Sequence, residues 1–269
     1  MMLENLELLM FTLPTILLLL IGVFARIENA QKPKRTIFFI KATLVLSLGV
    51  AVSGALLTAV MGQTEIDLFS VAGLGITFRI DALSMVMYNM IAILGFFVLR
   101  FSFNYLDGDK RHAIFLGRMT TTIAAVQLLV LAGNLLVLFL GWFLASLALH
   151  KLILFYGNRK KAQNAAKKKF IIARLSDISL LFSLALIYGQ FETGNLTNIF
   201  LAIQDVNFQA SSTLELAVFF LVLAAIFKSA QFPTHGWLIE VMETPTPVSA
   251  LLHAGLLNAG PFIIIRMAF

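Results

Sequence analysis

Long apolar runs with almost no charge recur along this 269-residue chain, and they constrain its fold more than any other feature. A helix that crosses a bilayer needs about 20 mostly apolar residues. Eight runs fall near that length, at 6–25, 36–61, 82–104, 113–132, 135–155, 170–190, 214–230 and 247–268. Because lipid cannot satisfy backbone N–H and C=O groups, the predicted fold is an all-α polytopic transmembrane helix bundle of about eight spans.

The composition excludes most soluble and catalytic classes. The chain is 59% hydrophobic and 13% charged, whereas soluble domains are about 45–50% apolar and about 25% charged. It has no cysteine, so disulfides, iron–sulfur clusters and thiolate zinc sites are excluded. Its histidines are scattered without metal-ligand spacing, and no nucleotide-binding glycine loop is present. These features predict a membrane chain without catalytic residues, metal or cofactor of its own.

The basic residues predict an orientation in the membrane. All but three of the 20 Lys and Arg residues lie in or beside the first, third and fifth loops of the eight-span arrangement. The positive-inside rule then places these loops in the cytoplasm and the N-terminus outside. The acidic start, MMLENLE, lacks the basic segment of a secretory signal, so the first span is expected to be retained. Residues 157–169 form a basic helical stretch that we interpret as a solvated, orientation-setting segment; binding to anionic lipid or an acidic partner is the alternative.

Lys228 is the ionisable residue that is hardest to explain structurally. It lies about 20 Å along the seventh predicted span, counted from Glu215. A charge in the hydrocarbon layer costs a few kcal/mol on insertion scales and needs a partner or a water-filled path. A lysine at this depth can take up and release protons as its charged neighbours change. Lys228 is therefore the first candidate for an ion pathway.

Other ionisable residues within the spans allow two interpretations each. Arg174 and Asp177 are three residues apart, so they share a helix face as part of an ion path or as an interfacial ion pair. His150 closes the fifth span beside Lys151, where both side chains could instead extend to the lipid headgroups. His253 lies in the first half of the eighth span, either on the pathway or as a packing histidine.

A proline-rich segment connects Lys228 to the last span. Three of the chain's six prolines lie there, namely Pro233, Pro245 and Pro247. Pro233 lacks a backbone donor and predicts a helix break just after Lys228. Polar and aromatic residues follow, including His235 and Glu240. Broken helices at membrane depth line cavities and form ion sites in transporters, so these two residues join the predicted pathway.

Three stretches of this sequence resemble a known family. The longest is FKSAQFPTHGWLIEVMETPTPVSALLHAG at Phe227–Gly255, and the others are AGNLLVLFLGW at Ala132–Trp142 and KKFIIARLSDISLL at Lys168–Leu181. Together they resemble the antiporter-like membrane subunits, which include the large proton-pumping subunit of respiratory complex I and the Mrp sodium/proton antiporters. The resemblance covers most of 80–269.

The resemblance implies roles for particular residues. The family's central seventh-helix lysine falls on Lys228 and its eighth-helix histidine on His253. Its sixth-helix arginine and aspartate fall on Arg174 and Asp177. The glutamate that follows the Gly-Trp pair of the fifth helix is replaced by Phe143. The acid that pairs with the central lysine is therefore expected to be missing, which argues against standard complex I or Mrp pumping.

Within this family, the sequence resembles the DabB branch, which is a membrane subunit of inorganic-carbon accumulating systems. The stretches that carry this likeness are Gly141–Phe170 and Leu251–Arg266. The likeness implies a bacterial cytoplasmic (inner) membrane, flow of H⁺ or Na⁺, and a large soluble zinc-containing, carbonic-anhydrase-like partner subunit that hydrates CO2. A complex I or Mrp antiporter-like subunit remains one alternative, and a non-conducting membrane anchor another. No nucleic acid partner is expected.

The family comparison also predicts the domain organisation. Residues 1–110 would form three leading transmembrane helices, and residues 111–269 one antiporter-like five-helix repeat comprising spans four to eight. Family members usually carry about fourteen helices with two such repeats. A second repeat is therefore expected from another chain, or from a longer reading frame.

Overall fold

The computed structural model describes residues 2–28, 33–71, 73–157, 159–206, 208–240 and 244–268, with side chains except at 2–9, 240, 254 and 256. The elements in chain order are α1 (Met2–Glu28), α2 (Lys34–Met61), β1 (Thr64–Val71), β2 (Leu74–Ile80), α3 (Ala82–Tyr105), α4 (His112–Val130), α5 (Leu135–Ile153), α6 (Lys160–Phe191), α7 (Leu196–Ile203), α8 (Ser212–Lys228), α9 (Gly236–Glu240), α10 (Thr246–Leu251) and α11 (Ala259–Arg266). A 3₁₀ turn follows α5 at Leu154–Tyr156, and a π-helical turn at Leu252–Leu256 follows α10.

Six helices in the described part of the chain, α1 to α6, are long and apolar enough to cross a membrane. They correspond to the first six predicted spans. α8 is shorter, with 17 residues, and the eighth predicted span is divided into α10, the π-helical turn and α11 rather than forming one continuous helix. The membrane part is all-helical, and the count of eight spans stays a prediction.

A β-hairpin between α2 and α3 was not predicted from the sequence. β1 and β2 pair antiparallel, with Thr64 opposite Ile80 and Val71 opposite Leu74, and a bulge interrupts the register between Asp67 and Phe69. Two short runs rich in β-branched and aromatic residues around Gly73 are typical of a hairpin. The hydropathy pattern of the neighbouring spans obscured this shorter signal.

The bundle has two chemically different ends. At one end Arg111 donates to the carbonyl of Phe155 at 2.7 Å and Arg118 donates to that of Lys151 at 2.6 Å, which brings the third and fifth basic loops together. At the other end, backbone bonds tie β2 to the turn between α4 and α5, including Arg79 N–H to the Leu131 carbonyl at 2.9 Å. The basic loops therefore lie opposite the hairpin.

Close helix packing fixes the position of α8. Ser176 on α6 donates through Oγ to the Ala224 carbonyl at 2.8 Å, and Ser183 donates likewise to that of Ala217 at 2.7 Å. Small residues on the facing surface of α8 permit this approach. The two hydroxyl bonds hold α8 against α6, and they bring the C-terminal end of α8 to the buried face of α6.

Candidate functional site

Lys228 is the last residue of α8, and its ammonium group contacts α5. Nζ donates to the Trp142 carbonyl at 2.8 Å and to Ser146 Oγ at 2.7 Å. It also lies 4.2 Å from the centroid of the Trp142 ring, a distance at which cation–π attraction operates. Lys228 is thus held by a carbonyl, a hydroxyl and an aromatic face.

The end of α8 at Lys228 results from a turn rather than directly from Pro233. Ala230 adopts the left-handed conformation at φ 51°, and the Gln231 N–H bonds the Ile226 carbonyl at 3.3 Å. This is the hydrogen bond of a Schellman motif. The predicted break after Lys228 is present, and the helix ends five residues before Pro233.

Asp177 is connected to Lys228 through Ser146. The Ser146 hydroxyl lies 3.5 Å from Asp177 Oδ1, while Arg174 forms an ion pair with Asp177 Oδ2 at 2.6 Å. Ser146 on α5, Asp177 on α6 and Lys228 on α8 meet here. Sequence spacing predicted only the pairing of Arg174 with Asp177, because these two lie on one helix. Among the described side chains, the carboxylate that shares a partner with the lysine is therefore on α6, not on α5.

Phe143, which replaces the glutamate of the family pattern, contacts the same ion pair. The Arg174 guanidinium lies 4.6 Å from the centroid of the Phe143 ring and 5.1 Å from that of Phe170. The aromatic rings hold the arginine over Asp177. The fifth-helix acid of the family pattern is thus absent here, and Asp177 approaches Lys228 only through the Ser146 hydroxyl.

Lys169 belongs to this site, although the sequence placed it in a solvated basic segment. Its side chain is only 5% exposed, and its Nζ donates to the Ser146 carbonyl at 2.6 Å. α6 begins at Lys160, ten residues before the predicted span, and its buried face carries Lys169 inward. We call Lys169, Lys228, Ser146, Asp177 and Arg174 the amine cluster.

A small cavity adjoins the amine cluster, with about 20 Å³ open to the centre of a water molecule. Lys169, Lys228 and Ser146 line it, together with Trp237 from α9. The proline-rich segment therefore does contribute to the surroundings of Lys228. Pro245 precedes α10, and Pro247 is buried in the first turn of that helix.

Four candidates remain, and the three whose side chains are described occupy different environments. His150 is half-buried with its ring 5.0 Å from that of Phe170, beside the basic end of α6. His235 packs its ring 5.8 Å from Phe232. His253 is exposed within the π-helical turn and does not line the cavity. The Glu240 side chain lies outside the described residues.

A second buried charged cluster lies at the hairpin end and was not predicted from the sequence. Arg266, 1% exposed, forms an ion pair with Asp81 and donates to Ser84 Oγ at 2.6 Å. Arg79 Nε donates to the same carboxylate at 2.8 Å, and the Ser84 N–H donates to Asp81 Oδ1 at 2.8 Å. We call Arg79, Asp81, Ser84 and Arg266 the arginine cluster. It joins β2, α3 and α11.

The side chains that the structure describes contain no group of three or more His, Cys, Asp or Glu residues able to hold a metal ion. The chemistry that the amine cluster offers is proton uptake and release at two amines and one carboxylate, with a hydroxyl between them.

Comparison with known proteins identifies the family. Residues 132–269 match the family described as NADH:quinone oxidoreductase/Mrp antiporter, TM, and residues 69–116 match the N-terminal part of chain 5 of complex I. The probable inorganic carbon transporter subunit DabB of Hydrogenovibrio crunogenus is 38% identical over 192 residues, covering 70% of this chain and 36% of that protein. NADH-quinone oxidoreductase subunit L of Buchnera aphidicola subsp. Baizongia pistaciae is 38% identical over 194 residues, covering 71% and 31%.

A solved structure shows the same fold. The Mrp complex from Dietzia sp. DQ12-45-1b contains a chain that superposes with a TM-score of 0.79 at 24% identity, covering 95% of this chain and 28% of that one. The chain thus spans about a third of the length of the curated relatives it matches. It is a multi-pass integral membrane protein, and it belongs to the antiporter-like membrane subunit family of complex I and Mrp.

Proposed function

We propose that this chain is the membrane subunit of an energy-coupled inorganic carbon uptake complex in a bacterial cytoplasmic membrane. Flow of H⁺ or Na⁺ through it drives a large soluble, zinc-containing, carbonic-anhydrase-like partner that converts CO2 to bicarbonate. The basic loops face the cytoplasm in this proposal, where the partner docks. A further chain or segment supplies the second repeat.

The single observation that carries the proposal is the amine cluster. Lys228 sits at the end of α8, joined to Asp177 through Ser146 Oγ at 2.7 and 3.5 Å. Charged groups at membrane depth are costly and mark ion pathways by default. Lys228 and Asp177 can both exchange protons, and the Ser146 hydroxyl both donates and accepts, so the three provide a path for a proton between α6 and α8.

Phe143 supports the carbon-uptake branch over a standard pumping subunit. The ring occupies the position of the fifth-helix glutamate and lies 4.6 Å from the Arg174 guanidinium. For pumping subunits, the family resemblance implies that the central lysine pairs with a fifth-helix acid. In this chain Lys228 instead contacts Asp177 through Ser146. The likeness to the DabB of Hydrogenovibrio crunogenus supports the same assignment.

Growth under carbon limitation tests the proposal. Lys228→Ala in the native operon is expected to abolish growth in air and to leave growth in CO2-enriched gas unchanged. Lys167→Ala, which removes an exposed lysine from α6, is the matched control and should grow normally under both conditions. Normal growth of the Lys228 variant in air, at normal protein levels, would contradict the proposed role.

The second candidate function is an antiporter-like subunit of NADH-quinone oxidoreductase or of an Mrp antiporter, which the 38% identity to subunit L favours. In a respiratory complex the Lys228→Ala defect would persist in CO2-enriched gas and would appear as reduced proton pumping during NADH oxidation. In an Mrp antiporter it would appear as sensitivity to sodium at alkaline pH. CO2 rescue therefore distinguishes carbon uptake from the other two functions, and sodium sensitivity or reduced proton pumping distinguishes those two from each other.

A further inference from the structure

Lys169 occupies an unusual position for a lysine in a basic segment. Its neighbours Lys167 and Lys168 are exposed, whereas Lys169 is buried. Small buried residues surround it on the same face of α6, namely Ala162, Ala165, Ala166 and Ala173. The 3.6-residue period places these positions on one stripe. The packing therefore directs this amine into the protein, while its neighbours remain at the surface.

Two lysine amines bind different oxygen atoms of one serine, the backbone carbonyl and the side-chain hydroxyl of Ser146. Lys169 Nζ donates to the Ser146 carbonyl at 2.6 Å, and Lys228 Nζ donates to the Ser146 hydroxyl at 2.7 Å. The lysines come from different helices, α6 and α8, and meet on α5. Both side chains also line the same small cavity, whose volume of about 20 Å³ has room for a water molecule.

The charges around Lys169 do not balance when every group is ionised. Arg174 and Asp177 face the site from α6, Lys228 from α8, and His150 lies nearby on α5. Arg174 already pairs with Asp177, and an arginine side chain does not release its proton. Among the described side chains, two lysine ammonium groups would then face one carboxylate that is already paired. Two ammonium groups at one serine repel each other, so a proton on one amine favours release from the other.

We infer that Lys169 and Lys228 form a proton-exchanging pair, in which Lys169 passes protons between the basic end of the bundle and Lys228. The inference rests on the proposed ion-conducting function and deepens it by naming the residue on the basic side. In each transfer the Lys169 ammonium gives one proton to the neutral amine of Lys228, or the reverse. A water molecule in the shared cavity carries the proton, and no electrons move.

Two substitutions at Lys169 separate proton exchange from a structural role. Lys169→Arg keeps the positive charge and the donors but cannot release a proton. Lys169→His shortens the side chain but keeps an exchangeable proton. Proton flux is measured in inverted membrane vesicles that contain the intact complex, with a pH-sensitive dye, an imposed pH gradient and normalisation to the amount of complex. Lys167→Arg is the control and should stay within about twofold of the unmodified protein.

The relay predicts that Lys169→Arg lowers flux about tenfold or more, and that Lys169→His retains several times the flux of the arginine variant. The relay is overturned if the proton flux of Lys169→Arg equals that of Lys169→His. This holds whether both variants keep their flux or both lose it. Lys228→Ala is measured in the same vesicles. If Lys228→Ala conducts normally, the proposed function fails; if it loses flux while Lys169→Arg conducts normally, only the role of Lys169 fails.

Discussion

Two charged clusters among the described residues of this protein are built from different cations. The arginine cluster at the hairpin end sets two guanidinium groups around one carboxylate, with Asp81 bonded to Arg79 and Arg266. The amine cluster sets two lysines around one serine, with Asp177 one contact further away. Arginine holds its proton at any accessible pH, whereas a buried lysine exchanges it readily. We therefore expect the arginine cluster to hold elements together, and we propose that the amine cluster also moves protons.

The distribution of basic residues sharpens this contrast. All but three of the 20 Lys and Arg residues lie in or beside the three basic loops. The three exceptions are Arg79, Lys228 and Arg266, and each lies in one of the two clusters. The positive-inside rule accounts for the position of the loop residues. The three exceptions instead bind partners inside the bundle. Lys169 and Arg174 are counted with the loops by position, but the fold assigns both to the amine cluster.

The largest expected effect concerns stability at the arginine cluster. Arg266→Met removes the guanidinium that bonds Asp81 and Ser84 across three elements, and it leaves a buried carboxylate with fewer partners. We expect the free energy of unfolding to fall by about 3 kcal/mol, measured by chemical denaturation of the purified complex. Lys110→Met, at an exposed position, should change it by less than about 0.5 kcal/mol. Equal stability of the two variants would show that the cluster does not hold α11.

The next effect concerns conduction at the amine cluster. Asp177→Asn removes the carboxylate that pairs with Arg174 and contacts Ser146, so protons lose an acceptor on α6. We expect proton flux per complex to fall about tenfold to a hundredfold, in the vesicle assay described above. Asp107→Asn changes an exposed carboxylate at the basic end and serves as the control. Comparable flux in both variants would exclude Asp177 from the pathway.

Acid should weaken the arginine cluster specifically. Burial alone raises the pKa of Asp81, but the hydrogen bond and charge of Arg266, with hydrogen bonds from Arg79 and Ser84, lower that pKa to about 2. An unfolded aspartate has a pKa of about 3.9. Because the folded pKa is the lower one, the ionised carboxylate stabilises the fold above about pH 4, and this contribution is lost as the pH falls towards about 2.

The measurement is the thermal unfolding midpoint of the unmodified complex and of Asp81→Asn. The gap between them should narrow steadily from about pH 5 to about pH 3. A gap that stays constant over this range would mean that folding does not lower the pKa of Asp81.

The smallest effect concerns the turn that ends α8. Ala230 has a left-handed φ of 51°, which disfavours a side chain and suits glycine. Ala230→Gly should raise the free energy of unfolding by about 0.5–1 kcal/mol. Chemical denaturation checks this, with Ala217→Gly in the buried middle of α8 expected to have the opposite sign. A loss of stability in Ala230→Gly would mean that the turn differs from the one described.

Local sequence patterns predicted the helices and part of the amine cluster, because hydropathy and the three-residue spacing of Arg174 and Asp177 act within one helix. They did not predict contacts between distant segments. Arg266 and Asp81 are 185 residues apart, so no spacing rule connects them. Lys169 was missed because three consecutive lysines look alike until the buried face of α6 is known. The contact of Asp177 with Lys228 through Ser146 likewise depends on three helices meeting.

One measurement tests the central claim that the amine cluster conducts and the arginine cluster holds the fold. Proton flux per folded complex is compared for Lys228→Arg and Arg266→Lys in the same vesicles. Lys228→Arg should lose about tenfold or more of its flux at unchanged stability, and Arg266→Lys should lose stability but keep its flux within about twofold. Normal flux in Lys228→Arg, or a selective loss of flux in Arg266→Lys, would contradict the account.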